Sequence, residues 1–160
     1  MRVLVTGHRG YIGVEMVSVL RDHGHDVVGL DTGLYDECDF MAPPDDVPAL
    51  NVDLRDVTPA MLSGFDAVVH LAALSNDPLG DLNATLTYDI NLHASLRLAS
   101  AAKEAGVQRF LFASSCSLYG AGGSDLLDEG APFSPVTPYG ESKIRVEQGL
   151  TKLHPNVFGL

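Results

Sequence analysis

A tyrosine and a lysine four positions apart are the residues whose types and spacing most directly suggest chemistry. Tyr139 and Lys143 open a stretch with helical character. Four residues make just over one helical turn, so the two side chains share a face. An ammonium group close to a phenol favours the phenolate, which can take a proton from a substrate hydroxyl. The pair alone also fits a surface tyrosine and a solvated lysine on an amphipathic helix.

A run of serines upstream gives the tyrosine–lysine pair a chemical context. Ser114, Ser115 and Ser117 follow an apolar segment at residues 107–112. Hydroxyl groups at the carboxyl end of a parallel strand face the crevice where ligands bind, so a serine here could bond a substrate oxygen together with the phenol. A serine that only caps a turn at the strand end is the alternative. No base is evident for Cys116, which we interpret as a small buried residue.

A glycine-rich segment lies near the amino terminus, between an apolar run and a helical pattern. Gly7 permits a tight turn, Gly10 lets a pyrophosphate approach the backbone, and Gly13 allows close packing of the helix on the sheet. The amino terminus of the helix then offers N–H groups to the phosphates. Asp31 lies 18 residues after Gly13, close to the roughly 20 expected for an acid that binds a ribose. A glycine-rich turn without a ligand is the weaker alternative.

Asp31 also predicts which dinucleotide binds. A carboxylate accepts hydrogen bonds from the ribose hydroxyls and repels a 2′-phosphate. The next three residues, Thr32, Gly33 and Leu34, contain no lysine or arginine. Arg9 would have to reach past Asp31 to hold a phosphate. We therefore expect NAD rather than NADP.

Short apolar runs alternate with amphipathic stretches along the whole chain. Continuous apolar strands that alternate with helices are typical of a parallel sheet covered on both faces. The predicted fold is an α/β, doubly wound, Rossmann-like sheet that forms one domain over residues 1–160. The predicted strands are 3–5, 26–31, 49–52, 65–73 and 107–114. The predicted helices are 11–22, 82–105 (one long helix or two abutting ones) and 139–153.

Composition excludes several classes of partner. The 160 residues carry 10 Lys+Arg against 21 Asp+Glu, a net charge of −11. Such a chain repels phosphate backbones and anionic membranes, so we expect neither nucleic acid nor membrane as a partner. The chain has two cysteines and no apolar stretch of about 20 residues. We therefore expect a cytoplasmic location, and no metal site is predicted.

Together and in order, these motifs resemble the amino-terminal half of an extended short-chain dehydrogenase/reductase. More narrowly, the chain resembles the NAD-dependent sugar-nucleotide epimerase/dehydratase family. The resemblance covers nearly the whole chain. It is carried by residues 6–13, Asp31, Asp53, Leu54, residues 70–73, Asn91, Ser115, Tyr139 and Lys143.

The resemblance implies a role for each of these residues. Ser115, Tyr139 and Lys143 would be catalytic, with Tyr139 as the acid and base and Lys143 also on the nicotinamide ribose. Asn91 would be a helix residue that structures the site, although composition alone suggests that Asn91 and His70 are simply satisfied buried polar groups. Asn91, Tyr139 and Lys143 would also belong to the cofactor-binding set. Its other members are Gly7, Gly10, Tyr11, Ile12, Gly13, Asp31, Asp53, Leu54, Leu71, Ala72 and Ala73. Asp53 and Leu54 would flank the adenine, and the last three would lie beside the nicotinamide ribose.

The resemblance also implies an activity. Dehydratases of the family usually carry Asp-Glu after the catalytic serine or threonine, whereas Cys116 and Ser117 stand here. The expected function is therefore epimerisation of a nucleotide-activated sugar, through oxidation to a keto sugar and re-reduction. A reductase of a sugar nucleotide, a dinucleotide-binding module without turnover and a non-functional fragment stay open as alternatives. Family members are roughly twice as long, so we expect the carboxyl-terminal substrate-binding part to be missing. Family members also often dimerise, so we expect that this chain can form a homodimer.

Overall fold

The computed structural model describes residues 1–36, 38, 47–75, 77–120 and 126–153, and its centre is a parallel sheet. In these residues, five strands lie in the order β3-β2-β1-β4-β5. Their bounds are β1 Arg2–Thr6, β2 Asp26–Asp31, β3 Ala49–Asn51, β4 Ala67–His70 and β5 Arg109–Phe112. The predicted doubly wound α/β sheet is confirmed, and each strand lies within one or two residues of its predicted position, apart from trimmed ends at β4 and β5.

Five α-helices accompany the sheet within the described ranges. Their bounds are α1 Tyr11–Asp22, α2 Asp77–Leu82, α3 Ala84–Thr87, α4 Ser95–Glu104 and α5 Pro138–Leu153. A π-helical turn, Tyr88–Ala94, joins α3 to α4. Across the part of the chain described, none of the helices has both the length and the apolar character needed to cross a bilayer.

The strands are continuously apolar because both faces of the sheet are covered. Alternate residues of a strand point to opposite faces. In β1, Val3 and Val5 join a core cluster with Val17 of α1. Leu4, between them, joins a second cluster that includes Leu98 of α4. A layer of helix on each side therefore explains why the strands lack polar alternation.

Strand register brings the carboxyl ends of the inner strands to one edge. Thr6 of β1 lies opposite Leu30 of β2 and opposite His70 of β4. His70 in turn lies opposite Phe112 of β5. The chain runs outward from β1 to β3 and then returns to β4, so the order reverses between β1 and β4. Ligands of doubly wound sheets bind at this kind of switch point.

A buried chain of hydrogen bonds fixes that edge. His70 Nδ1 lies 2.7 Å from Thr6 Oγ1, and His70 Nε2 lies 2.8 Å from Ser95 Oγ. The N–H of Ala72 donates to Thr6 Oγ1 at 3.2 Å. Burial, with a smaller effect of the Lys143 charge, lowers the pKa of His70 to about 3. The ring is therefore neutral at ordinary pH, and the expectation of a satisfied buried histidine is confirmed.

Over residues 82–105 the sequence predicts one long helix or two abutting ones, and the structure has three abutting helical segments there, α3, the π-helical turn and α4. Helical structure already begins at Asp77, and it is interrupted after Leu82. Asn83 causes the break, because its side chain accepts a hydrogen bond from the N–H of Leu86 at 3.0 Å and so caps α3. The π-helical turn then follows, which a 3.6-residue periodicity cannot reveal.

The interpretation of Cys116 as a buried residue is also wrong. Cys116 is exposed. It opens a 3₁₀ turn, Cys116–Tyr119, whose buried residue is Leu118. A tight turn places only part of its side chains against the core, and here Leu118 takes that place.

Candidate functional site

Two glycines of the loop after β1 are required by packing alone. Gly7 has a φ of +72°, and a Cβ there would lie 2.8 Å from the backbone N of Ala72. A Cβ on Gly13 would clash with the carbonyl oxygen of Gly7 and with the backbone of His8. These positions hold the start of α1 tightly against the loop and against the end of β4.

Gly10 is less constrained by the protein than Gly7 and Gly13. Its φ of −76° suits any residue. A Cβ at this position would lie 3.2 Å from Gly7 O, a tight contact that a shift of a few tenths of an ångström in the loop would relieve. Gly10 is the N-cap of α1 and has no side chain to bond the first-turn N–H groups. A helix N-terminus without a capping side chain is suited to an anion, and contact of Gly10 with a pyrophosphate stays a prediction.

Tyr11 and Ile12 follow Gly10 at the start of α1. Their side chains are 97 % and 60 % exposed. Their backbone N–H groups belong to the first turn of the helix, where intrahelical acceptors are lacking. Both residues are therefore placed so that their backbone N–H groups, rather than their side chains, could bind a phosphate.

Asp31 ends β2 beside the glycine loop. Its carboxylate accepts hydrogen bonds from the N–H of Arg9 at 3.1 Å and from the N–H of Gly33 at 3.0 Å. Each carboxylate oxygen has a further lone pair for a ribose hydroxyl. The guanidinium of Arg9 is bound to Asp36 at 2.9 Å. The cation that could have favoured a 2′-phosphate is therefore held by a carboxylate.

His8 is a residue of this site that sequence reasoning missed. It is buried, and a Cβ on Gly29 of β2 would overlap its ring. Its Nδ1 lies 3.9 Å from a carboxylate oxygen of Asp31. A glycine inside a strand often marks close approach of another group, so Gly29 was the available signal.

Asp53 and Leu54 lie beyond β3, on a 3₁₀ turn. Asp53 caps the turn and accepts hydrogen bonds from the backbone and the guanidinium of Arg55, with Nη2 at 2.8 Å. The hydrogen bonds from Arg55 lower the pKa of Asp53. Leu54 is buried in the core. The structure thus gives each residue a local structural role, and contact with an adenine stays a prediction for both.

Asn91 holds the segment that follows β4. It is buried in the π-helical turn, its Oδ1 accepts from the N–H of Leu74 at 2.8 Å, and its Nδ2 donates to Leu74 O at 3.0 Å. The partly buried residues Leu71, Ala72 and Ala73 directly precede Leu74. Asn91 therefore fixes the segment of residues 71–74, which the resemblance places beside the nicotinamide ribose. Both the oxygen and the nitrogen of its amide are used in bonds to the backbone of Leu74.

Tyr139 and Lys143 form a buried pair at the start of α5. They are 8 % and 4 % exposed, so a surface tyrosine beside a solvated lysine does not describe them. Lys143 Nζ lies 5.7 Å from the ring centroid of Tyr139 and 4.6 Å from that of Phe112. It donates to the carbonyl oxygen of Ala113 at 2.7 Å, which ties α5 to the end of β5. Burial lowers the pKa of Lys143 to about 8.

Ser115 lies on the turn next to this pair. Its hydroxyl oxygen accepts from the N–H of Ser117 at 3.1 Å, so the capping role considered from the sequence is present. Its O–H hydrogen stays available to a second acceptor. A Cβ on Gly140 would lie 2.7 Å from Ser117 O, so the turn that Ser115 caps packs against the residue after Tyr139.

The lowered pKa of Lys143 predicts a pH dependence of stability. The folded chain loses this proton near pH 8, whereas the unfolded chain keeps it until about 10.5. Unfolding then takes up a proton, so the Lys143 contribution to the free energy of unfolding rises with pH between these values. We expect a lysine ¹³Cε resonance that titrates near pH 8 and is absent in Lys143→Met. Urea unfolding should show that the free energy of unfolding increases less between pH 8 and pH 10 in Lys143→Met than in the wild-type chain. No lysine resonance titrating near pH 8 would contradict this assignment.

Known proteins resemble this chain over nearly its whole length. The model of the NAD dependent epimerase/dehydratase family matches residues 3–158. A UDP-glucose 4-epimerase of Corynebacterium glutamicum is 32 % identical over 100 % of this chain and 48 % of its own length. The chain spans about half the length of the curated relatives it matches.

Two solved structures share the fold closely. The UDP-glucose-4-epimerase of Stenotrophomonas maltophila, with bound NAD and formylated UDP-arabinopyranose, has a TM-score of 0.82 and 32 % identity over 96 % of this chain and 48 % of its own. The UDP-N-acetylglucosamine 4-epimerase of Methanobrevibacter ruminantium M1, in complex with UDP-N-acetylmuramic acid, has a TM-score of 0.84 and 30 % identity over 96 % and 50 %. With its glycine loop, its acid at the end of β2 and its parallel sheet, this chain belongs to the NAD-dependent epimerase/dehydratase family, whose cofactor is the NAD that the sequence predicts.

Proposed function

We propose that this chain carries the NAD-binding and catalytic residues of an epimerase that acts on a nucleotide-activated sugar. The observation that carries the proposal is the buried Tyr139–Lys143 pair, held against the end of β5 and beside the turn of Ser115. This pair lies at the same edge of the sheet as the glycine loop and Asp31. Relatives that act on UDP-sugars support a uridine diphosphate sugar as the substrate class.

The three side chains divide the work between them. Tyr139 takes the proton of a sugar hydroxyl as the carbon is oxidised, and it returns a proton when the ketone is reduced on its other face. Ser115 donates its free O–H to the reacting sugar oxygen, where negative charge develops. When bound, NAD supplies the hydride acceptor and then the hydride donor.

Lys143 supports both the phenol and the cofactor. Its ammonium has three N–H donors, and one is used by Ala113 O. The other two can serve the phenolate oxygen of Tyr139 and a ribose hydroxyl. The buried charge also favours the ionised form of the phenol, because charges interact strongly out of water.

The turn after Ser115 favours epimerisation over dehydration. Elimination needs an acid and a base beside the catalytic serine, and the chain offers Cys116 and Ser117 there. Cys116 is exposed, and the hydroxyl of Ser117 points to Asp77 at 3.4 Å. Neither side chain is a carboxyl group that could protonate a leaving hydroxyl.

Gly10 provides a test of the phosphate cradle. Gly10→Val should leave the fold largely intact, with at most a small decrease in the thermal unfolding temperature from the tight contact with Gly7 O. It should abolish NAD binding in isothermal titration, because the side chain would fill the space of the pyrophosphate. Gly13→Ala is the contrasting variant: its clash lies within the protein, so we expect a loss of stability of about 1–3 kcal/mol or more. Normal NAD binding by Gly10→Val would show that the loop is not a phosphate cradle.

Asp31 provides a test of cofactor choice. NAD should bind more tightly than NADP, and Asp31→Ala should weaken NAD binding by about 1–3 kcal/mol, as for a lost charged hydrogen bond. Asp31→Asn removes the charge and keeps an accepting oxygen for one of the two loop N–H groups, so it should narrow the preference for NAD over NADP. Asp36→Ala releases Arg9 and should raise NADP affinity with little effect on NAD. Equal or tighter binding of NADP by the wild-type chain would refute the assignment.

Tyr139 provides the test of the proposed reaction. Residues 1–153 joined to the carboxyl-terminal half of a close relative should turn over a sugar nucleotide. Tyr139→Phe should lower kcat in this chimera by about 10²–10⁴-fold, the usual worth of acid–base catalysis. Lys143→Met should cost as much or more. Tyr88→Phe removes a phenol that bonds Glu141 and is the matched control, with kcat close to wild type.

One result would overturn this proposal. A chimera with turnover that is indifferent to Tyr139→Phe would mean that another group transfers the proton.

A further inference from the structure

We propose that Asp77 is a positioning residue that holds Tyr139 and the turn after Ser115 in a fixed position relative to each other. The proposal rests on the proposed function. Asp77 is the first residue of α2. Its Oδ1 accepts the hydroxyl of Thr137 at 2.6 Å. Its Oδ2 accepts a longer bond from the hydroxyl of Ser117, at 3.4 Å. One carboxylate therefore joins α2, the turn Cys116–Tyr119 and the residue before α5.

Thr137 transmits this contact to the helix that carries Tyr139. Its Oγ1 accepts from the N–H of Gly140 at 3.1 Å, and its carbonyl oxygen accepts from the N–H of Glu141 at 3.0 Å. Thr137 is thus the N-cap of α5. A carboxylate can only accept, so the single hydroxyl hydrogen of Thr137 points to Asp77 and its lone pairs face Gly140. The N–H of Gly140 donates to the hydroxyl of Thr137, and that hydroxyl donates to Asp77. Hydrogen bonds that form such a chain polarise and strengthen one another.

A second contact from α2 meets Tyr139 directly. A Cβ on Gly80, one turn after Asp77, would lie 3.1 Å from Tyr139 Cβ and 3.5 Å from its backbone N. The hydroxyl of Thr87 donates to Gly80 O at 2.9 Å and holds α2 from behind. Helix α2 therefore touches Tyr139 through Gly80 and holds its cap through Asp77.

This arrangement matters because proton transfer tolerates little displacement. A shift of about 1 Å in a reacting group can cost about 10²-fold in rate. Tyr139 is the second residue of α5, where helix ends fray unless they are capped. Asp77 gives this cap a charge-assisted hydrogen bond, which is shorter and stronger than a neutral one.

The test compares three variants of the 160-residue chain without cofactor. Asp77→Ala should speed amide exchange at Gly140 and Glu141 about tenfold and shift the ring resonances of Tyr139, which are identified by their loss in Tyr139→Phe. Asp77→Asn keeps an oxygen that accepts from Thr137, so the amides of Gly140 and Glu141 should keep most of their wild-type protection from exchange. Asp81→Ala removes an exposed carboxylate of the same helix and is the matched control. Amides of β1 and β4 should exchange as in wild type in all three.

Two outcomes would overturn the proposal. One is unchanged exchange at Gly140 in Asp77→Ala. The other is a uniform loss of protection across β1, β4 and α5, which would make Asp77 a general stabilising residue. Asp77→Asn keeps the test valid if Asp77→Ala does not fold, because its Tyr139 resonances and Gly140 exchange should stay near those of wild type.

Activity gives an independent readout in the chimera. Asp77→Ala should lower kcat about 10- to 100-fold with KM for the sugar nucleotide and Kd for NAD unchanged. An unchanged kcat would overturn the positioning role. A wild-type chimera without turnover would count against the proposed function, whereas amide exchange and the ring resonances need no sugar and would still decide whether Asp77 holds Tyr139.

Discussion

The ammonium group of Lys143 is almost completely removed from water and still has to be satisfied, and much of the site follows from that requirement. A buried charge is costly unless it is hydrogen-bonded. Lys143 meets the requirement at the carbonyl oxygen of Ala113, just past the end of β5, with its Nζ above the ring of Phe112. Helix α5 must therefore lie across the end of β5. Tyr139, one turn earlier on the same face, is carried to the edge of the sheet where the glycine loop begins.

The edge of the sheet is held by a second set of buried polar groups. Thr6, His70 and Ser95 come from β1, β4 and α4, and their hydrogen bonds tie the paired strands β1 and β4 to α4. Asn91 adds a backbone clamp on Leu74. Satisfied polar networks of this kind favour one arrangement of the elements they join.

Sequence alone predicts the features that repeat or that use special residue types. Continuous apolar runs identify the strands, and the glycine spacing with Asp31 identifies the loop and its acid. Sequence patterns do not predict the capping by Asn83, the π-helical turn or the exposure of Cys116. Each of these features depends on which side of its segment is covered by the rest of the protein. Asp77 gave no signal at all: its partners Ser117 and Thr137 are 40 and 60 positions away. Only tertiary packing brings such residues together.

The π-helical turn Tyr88–Ala94 contains, in effect, one residue more than an α-helix of the same rise. The turn takes up this residue while the helix continues into α4. Asn91 bonds Leu74 from within the turn, and Ser95 bonds His70 four positions later. A residue inserted between Asn91 and Ser95 would rotate one against the other by about 100° and would turn one of these two side chains away from its partner. The number of residues between them is thus under structural constraint, and insertions should be far less acceptable here than in the surface loops.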